Sequence, residues 1–232
     1  MMRALVLVLS LLFALPASAD EVASVPDGGR LVLREGGAVL LAGIEPAPSP
    51  AAAKALAALA LGHDVEVEPV MTDRHGRIHA QVRRSDGLWL QGEMLRQGLA
   101  RVRTSPDDRA SADEMLALEA EARNAGRGAW THPSWTVRTP EAAVRFVDSY
   151  QLVEGRVLAA KRVRNQVFLN FGPDRKSDFT VRIGPGALKL WRSAGLDPLA
   201  LEGTRVRVRG WLRSWDGPLI DVSHPEQVER LP

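Results

Sequence analysis

DVEVEPVMTDRHGRIHAQVRR, residues 64–84, sets two alternating runs on either side of a tight turn. From Asp64 to Val70 apolar and charged residues alternate, the period of a half-buried strand. Asp73-Arg74-His75-Gly76 is a turn, and RIHAQVRR alternates again, so the segment predicts an antiparallel hairpin. Upstream, AAAKALAALALG predicts a helix with Ser49 as N-cap and Gly62 as its stop, and Pro46, Pro48 and Pro50 break the chain before it. Before the prolines, Val32, Val39, Leu41 and Ile44 flank Gly36-Gly37 as a second hairpin. Downstream, Ser85-Asp86-Gly87 turns into a short helix carrying Leu90, Met94 and Leu95, which ends at Gly98, and LARV follows as a short strand. Pro106 to Gly126 is the longest helical pattern, with Met115, Leu116, Leu118 and Ala122 at helical spacing and Asp107, Asp108, Asp113 and Glu114 near its N-terminal end.

THPSWTVRTP has neither period and reads as a linker over residues 131–145. Beyond it lies a second unit, residues 146–232. YQLVEGRVLAA is a strand with Gly155 as a bend; NQVFLNFG and DFTVRIG are two more. Gly186 to Ala194 is a short helix, TRVRVRGWLRS alternates strictly, and Trp215-Asp216-Gly217-Pro218 turns into LIDVSH. The order β-β-β-α-β-β is that of a small five-stranded OB barrel. Phe168, Phe171, Phe179 and Trp191 are read as its core.

The composition is that of a globular protein: 232 residues, 45% hydrophobic, 25% charged, net charge +2. The absence of cysteine excludes a disulfide framework, thiolate-ligated zinc and a thiol nucleophile. His63, His75, His79, His132 and His224 form no HxH or HxxxH pair and read as turn or surface residues. No GxSxG, Walker or GxGxxG motif is present. At the N-terminus Arg3 precedes an apolar run from Ala4 to Leu15, and Pro-Ala-Ser-Ala ends at Ala19. That is the layout of a signal peptide over residues 1–19, so the chain is expected to be exported, to the periplasm or beyond. The run is short of the ~20 residues needed to span a bilayer. No membrane span is expected in the mature chain.

Five motifs in order make residues 20–130 resemble the staphylococcal nuclease-like (thermonuclease) family: VPDGGRLVL, VLLAGIEPAP, DRHGRIHAQV, DGLWLQGEMLRQGLARV and LALEAEARNAGRGAW. The resemblance implies an OB-type barrel with helices. The fold expected is thus mainly β with helices, a nuclease-like OB barrel followed by a second OB-like barrel. The family hydrolyses phosphodiesters with Ca²⁺: carboxylates hold the ion, a base directs water, and guanidiniums meet the charge growing on phosphorus oxygens. Carried across, the first metal-ligand Asp falls on Gly29, the first catalytic Arg on Leu40, the second metal-ligand Asp on Glu45, the general base on Pro48 and the second Arg on Arg77. Only Glu45 and Arg77 keep the required chemistry. Family-type hydrolysis and a bound metal are therefore not expected, since losses within one catalytic unit each cost orders of magnitude. A nuclease alternative would draft Arg30, Arg34, Glu35 or Asp27 as replacements and would require Ca²⁺.

The two units differ in charge. Residues 20–140 carry 14 Lys and Arg against 17 Asp and Glu, and residues 141–232 carry 15 against 11. Lys161, Arg162 and Arg164 cluster at one strand end, and Arg205, Arg207 and Arg209 share a strand face that Trp211 continues. With Arg77 these form the candidate nucleic-acid surface: phosphates on guanidiniums and a base on the ring suit a single strand or another polyanion. The alternative partner is an acidic envelope protein meeting the same arginine face.

Overall fold

A computed structural model describes residues 20–174 and 177–232; the expected signal peptide, residues 1–19, lies outside the described residues. The first unit contains β1 (Asp20–Asp27), β2 (Arg30–Leu33), β3 (Gly37–Leu41), β4 (Ile44–Pro46), α1 (Pro50–Ala60), β5 (Asp64–Thr72), β6 (Ile78–Arg84), α2 (Leu90–Arg96), β7 (Ala100–Val102) and α3 (Ala112–Asn124). β1-β2-β3-β6-β5 close into a barrel, parallel only between β3 and β6. The β5–β6 hairpin runs in register from Val65↔Arg84 to Thr72↔Ile78, with one slip between Pro69 and Met71. Pro69 has no N–H to give the ladder, so the slip falls where pairing is weakest. The alternation works as read: Val65, Ala80 and Val82 are buried in the barrel.

α1 begins where the sequence asks it to. Ser49 Oγ accepts from the Ala52 N–H, and Pro50 occupies the first turn, where its missing N–H costs nothing. Ala52, Leu56 and Ala60, spaced four residues apart, form a stripe that enters the core. α3 starts later than the periodicity suggests. Residues 105–108 instead form a tight turn in which the Asp108 N–H donates to Ser105 O. The Asp108 carboxylate turns into the barrel mouth and accepts from Gln81 Nε2 at 3.1 Å, rather than lining a helix end. The expected linker is tied down at Trp135, which packs edge-on against Trp130 with ring centroids 5.1 Å apart and belongs to the first core.

The second unit contains β8 (Ser149–Arg156), β9 (Ala159–Val163), β10 (Gln166–Asn170), β11 (Thr180–Ile183), α4 (Pro185–Ser193), β12 (Arg205–Ser214), β13 (Pro218–Val222) and β14 (Val228–Arg230). β8 and β9 are halves of the strand read as YQLVEGRVLAA. The break comes at Val157–Leu158, whose N–H groups donate to Thr204 O and Asn170 O. Gly155 serves close packing there: a Cβ would stand 2.5 Å from Pro140 Cγ. β9 pairs with β10, β10 with β11, β11 with β13 in parallel, β13 with β12, and β12 back to β8. Counting β8 and β9 as one bent strand, this ladder order is that of the first barrel and fits the OB arrangement. Among the described residues no helix is long and apolar enough to cross a membrane.

Candidate functional site

The mouth of the first barrel holds a cavity of about 410 Å³. Gly29 and Leu40 line it together, because β2 and β3 pair Arg30 with Leu40 and the Leu41 N–H donates to Gly29 O at 2.8 Å. Asp27, His79, Arg103 and Asp108 complete its polar wall. At Gly29 an added Cβ would lie 3.0 Å from Pro46 Cγ, so the proline ring occupies part of the space a carboxylate would need.

The cavity's two carboxylates are poorly matched to a hard cation. Asp27 caps the Gly29 N–H with Oδ1 at 2.9 Å and pairs with Arg30 through Oδ2 at 3.0 Å. Asp108 is buried, and its Oδ2 has no hydrogen-bond partner. Burial pushes the Asp108 carboxyl above the ordinary range, opposed by the Gln81 hydrogen bond and the nearby His79. Among the described residues no group of three or more His, Cys, Asp and Glu side chains converges as a metal site needs. Calcium takes six to eight oxygens, and this donor set does not fit it.

Glu45 and Arg77, the two positions at which the resemblance keeps the required chemistry, are each held by other partners. Glu45 lies opposite Arg101 in the β4–β7 pair and accepts from its Nε at 2.8 Å, with Arg103 at 3.5 Å. Arg77 sits in the hairpin turn with its Nε 2.7 Å from Asp73 Oδ2. Asp73 Oδ1 also accepts from the Arg77 and His75 backbone N–H groups. Burial opposes ionisation of Asp73, but those hydrogen bonds and the guanidinium outweigh it and hold its carboxyl well below the usual range. Pro48 is exposed ahead of α1. Of the residues that could be drafted, Arg30 and Asp27 pair with each other and Arg34 pairs with Glu21 at 2.6 Å.

The arginine stripe of β12 differs from a solvent-facing row. Arg205 is exposed, 2.6 Å from Glu154, and Arg207 bridges Glu154 at 2.8 Å and Glu229 at 3.3 Å. Arg209 is 0% exposed. It donates to Glu119 Oε1 at 3.0 Å, Glu119 Oε2 at 2.8 Å and Glu229 Oε1 at 2.6 Å. Period 2 did place the three on one face, as read, but that face turns toward the first unit's α3. Trp211, at the end of the row, is exposed.

The same seam carries Tyr150, whose hydroxyl donates to Val102 O at 3.0 Å and whose pKa burial pushes up to about 12. Arg101 lies over the Tyr150 and Trp135 rings, 4.7 and 5.3 Å from their centroids. Arg109 forks onto Glu226 at 2.7–3.0 Å. His224, read as a surface residue, is buried here, with Nε2 2.8 Å from Thr104 Oγ1 and Nδ1 2.9 Å from Ser223 Oγ. Burial lowers its pKa to about 4.

On the second unit's outer face lies a larger groove, about 530 Å³. Lys161 lines it, with Arg162 and Arg164 exposed on the adjoining β9–β10 hairpin. Among the described residues these three cations have no ion pair. Phe168, read as core, points outward into this groove, while its neighbours Val167 and Leu169 fill the barrel. Trp215 and Arg182, not singled out in the sequence, stack beside it with the guanidinium 4.1 Å from the ring centroid. Alternation could have signalled Phe168, since Val167 and Leu169 are the better core pair. Nothing local to the sequence shows which arginines of β12 meet Glu119.

A search of curated proteins returns no match. Residues 49–132 match the family described as Staphylococcal nuclease homologue. The match begins one residue after Pro48, so of the five carried-over positions it contains Arg77 alone. From α1 through the turn after α3, this part of the chain is similar to staphylococcal nuclease homologues.

Proposed function

We propose that this protein is an exported, catalytically impaired nuclease homologue that binds nucleic acid or a related polyanion through its OB-type surfaces. The observation that carries the reading is the barrel-mouth cavity, which is lined by Gly29 and Leu40, the positions onto which the resemblance carries a metal ligand and a guanidinium. Phosphodiester hydrolysis needs charge stabilisation aimed at the phosphorus oxygens and a directed water. Glu45 is held by Arg101 and Arg103, Arg77 by Asp73, and no base stands at Pro48. Binding needs less: cations free to meet phosphates, which the β9–β10 hairpin supplies. Export rests on the layout of residues 1–19. The envelope-protein alternative loses support, because its arginine face is already paired with Glu154, Glu229 and Glu119.

The test is incubation of the chain starting at Asp20 with labelled single- and double-stranded DNA and RNA in Ca²⁺, Mg²⁺ or Mn²⁺. The proposal expects retarded, full-length substrate. Metal-dependent shortening that disappears in Arg77→Ala would establish a working nuclease instead.

A further inference from the structure

We propose that the groove on the outer face of the second unit is a binding site for single-stranded nucleic acid, with bases stacking on Trp215 and Phe168 and a phosphate meeting Lys161. This inference rests on the polyanion-binding reading and adds the surface and the strand form. Cross-strand pairing puts Lys161, Phe168 and Arg182 side by side across β9, β10 and β11, at about 4.8 Å per strand. One row along, Ala159, Asn170 and Thr180 form a smaller floor. The two rows make a shallow trough with an aromatic ring flanked by cations.

Trp215 forms its wall. The residue sits in the tight β12–β13 turn, where its N–H donates to Gly217 O at 2.8 Å. Gly217 has φ 99°, and a Cβ there would lie 2.9 Å from Asp178 O, so the turn is pressed against the Ser177–Asp178 backbone. Arg182 covers one face of the indole, and Asp221 holds the Arg182 guanidinium with paired hydrogen bonds. The ring is thus fixed in place yet 49% exposed, and Leu158 and Val163 beside it are 53% and 51% exposed. Grouped exposed apolar side chains on an otherwise well-packed barrel mark an interaction surface.

Charge selects the occupant. Arg182 is neutralised by Asp221, and Asp216 also lines the groove, so attraction comes from Lys161 in the groove, on the hairpin that also carries the exposed Arg162 and Arg164. A flat, immobilised ring next to unpaired cations suits a nucleotide whose base is free to leave its stack, and in a duplex it is not. One phosphate contact at Lys161 predicts a log K against log salt slope of about −0.7 for a single strand, steeper if the hairpin arginines also engage the backbone.

The experiment is fluorescence anisotropy on the chain from Asp20, using a labelled oligothymidylate of fifteen nucleotides, an abasic strand of that length and a duplex. The single strand is expected to bind best, with the abasic strand weaker. Trp215→Ala should weaken single-strand binding by about 5- to 150-fold, the loss of one stacked base, and Trp215→Phe should retain most of it. Lys54→Ala, an exposed cation on α1 outside the groove, should change little. Wild-type binding that is equal for abasic and base-bearing strands, or unaltered in both Trp215→Ala and Phe168→Ala, overturns the groove and leaves polyanion binding standing. Failure of the wild type to bind any of the three at low salt overturns both.

Discussion

Removing the Glu119 carboxylate should cost more than any surface ion pair could. In Glu119→Ala the Arg209 guanidinium stays 0% exposed but keeps only Glu229 and the Val102 carbonyl as partners. The Val102 N–H, which donates to Glu119 Oε1 at 2.7 Å, is orphaned, and Arg123 loses its 3.2 Å contact. Breaking a buried pair from one side costs about 3–5 kcal/mol. An unsatisfied buried N–H adds part of a further ~1–3 kcal/mol. The expected loss is about 4 kcal/mol, a large share of the ~5–15 kcal/mol that holds an ordinary domain together. Glu119→Gln keeps an acceptor for Val102 and should lose less. The double variant Arg209→Met with Glu119→Ala should recover much of the deficit, because no unpaired buried charge remains. Urea unfolding followed by tryptophan fluorescence and far-ultraviolet circular dichroism measures this. The two signals should separate in Glu119→Ala, since the pair couples two cores. A loss below about 1 kcal/mol in Glu119→Ala, or a double variant as weak as the sum of its singles, would refute the reasoning.

Other consequences follow from buried titratable and aromatic groups. His224 is held neutral, with pKa lowered to about 4 beside Glu226, Arg109 and Arg209. The unfolded chain therefore binds the extra proton first. Stability should fall as pH drops from about 6.5 toward 4, by up to tenfold in the folding equilibrium per pH unit, and His224→Gln should flatten that window in acid-titrated urea midpoints. Asp108 carries the opposite sign: its raised folded pKa means stability declines as pH rises through the carboxylate range. Asp108→Asn should then be more stable than wild type at pH 7, by about 1 kcal/mol, with the difference shrinking near pH 4. Trp135→Ala should cost about 3–5 kcal/mol in thermal or urea unfolding, because this residue anchors the inter-unit segment to the first core. A near-neutral result would return that segment to the status of a free linker.

Much of the fold was legible in the chain because each barrel strand obeys its own period. Val65, Ala80, Val82, Val206 and Val208 all fall inside where alternation puts them. The start of α3 was not legible, since acidic residues serve equally as helix-end partners and as inward-turned carboxylates, and only the Asp108–Gln81 contact distinguishes these. At the barrel mouth Gly29 and Leu40, the positions onto which the resemblance carries a metal ligand and a guanidinium, do share one cavity. The pairing of Glu45 with Arg101 was not readable, because those residues stand 56 positions apart and meet only when β7 reaches β4. Arg209 shows the limit of local periodicity. Alternation assigns a side chain to a face, but whether the face meets water or a second unit depends on how the two units dock. The aromatic groove was hidden for a related reason: Trp215 and Arg182 come from separate elements and stack only once β11 and β13 pair.

The central claim is binding without cutting, and one measurement addresses both halves. A labelled fifteen-nucleotide single strand is held with excess protein in Ca²⁺ while anisotropy is followed for hours, and the strand is then sized on a denaturing gel. The account predicts a raised, constant anisotropy that Trp215→Ala lowers, and a strand recovered at full length. A falling anisotropy with shortened strands, abolished by Arg77→Ala, would contradict it.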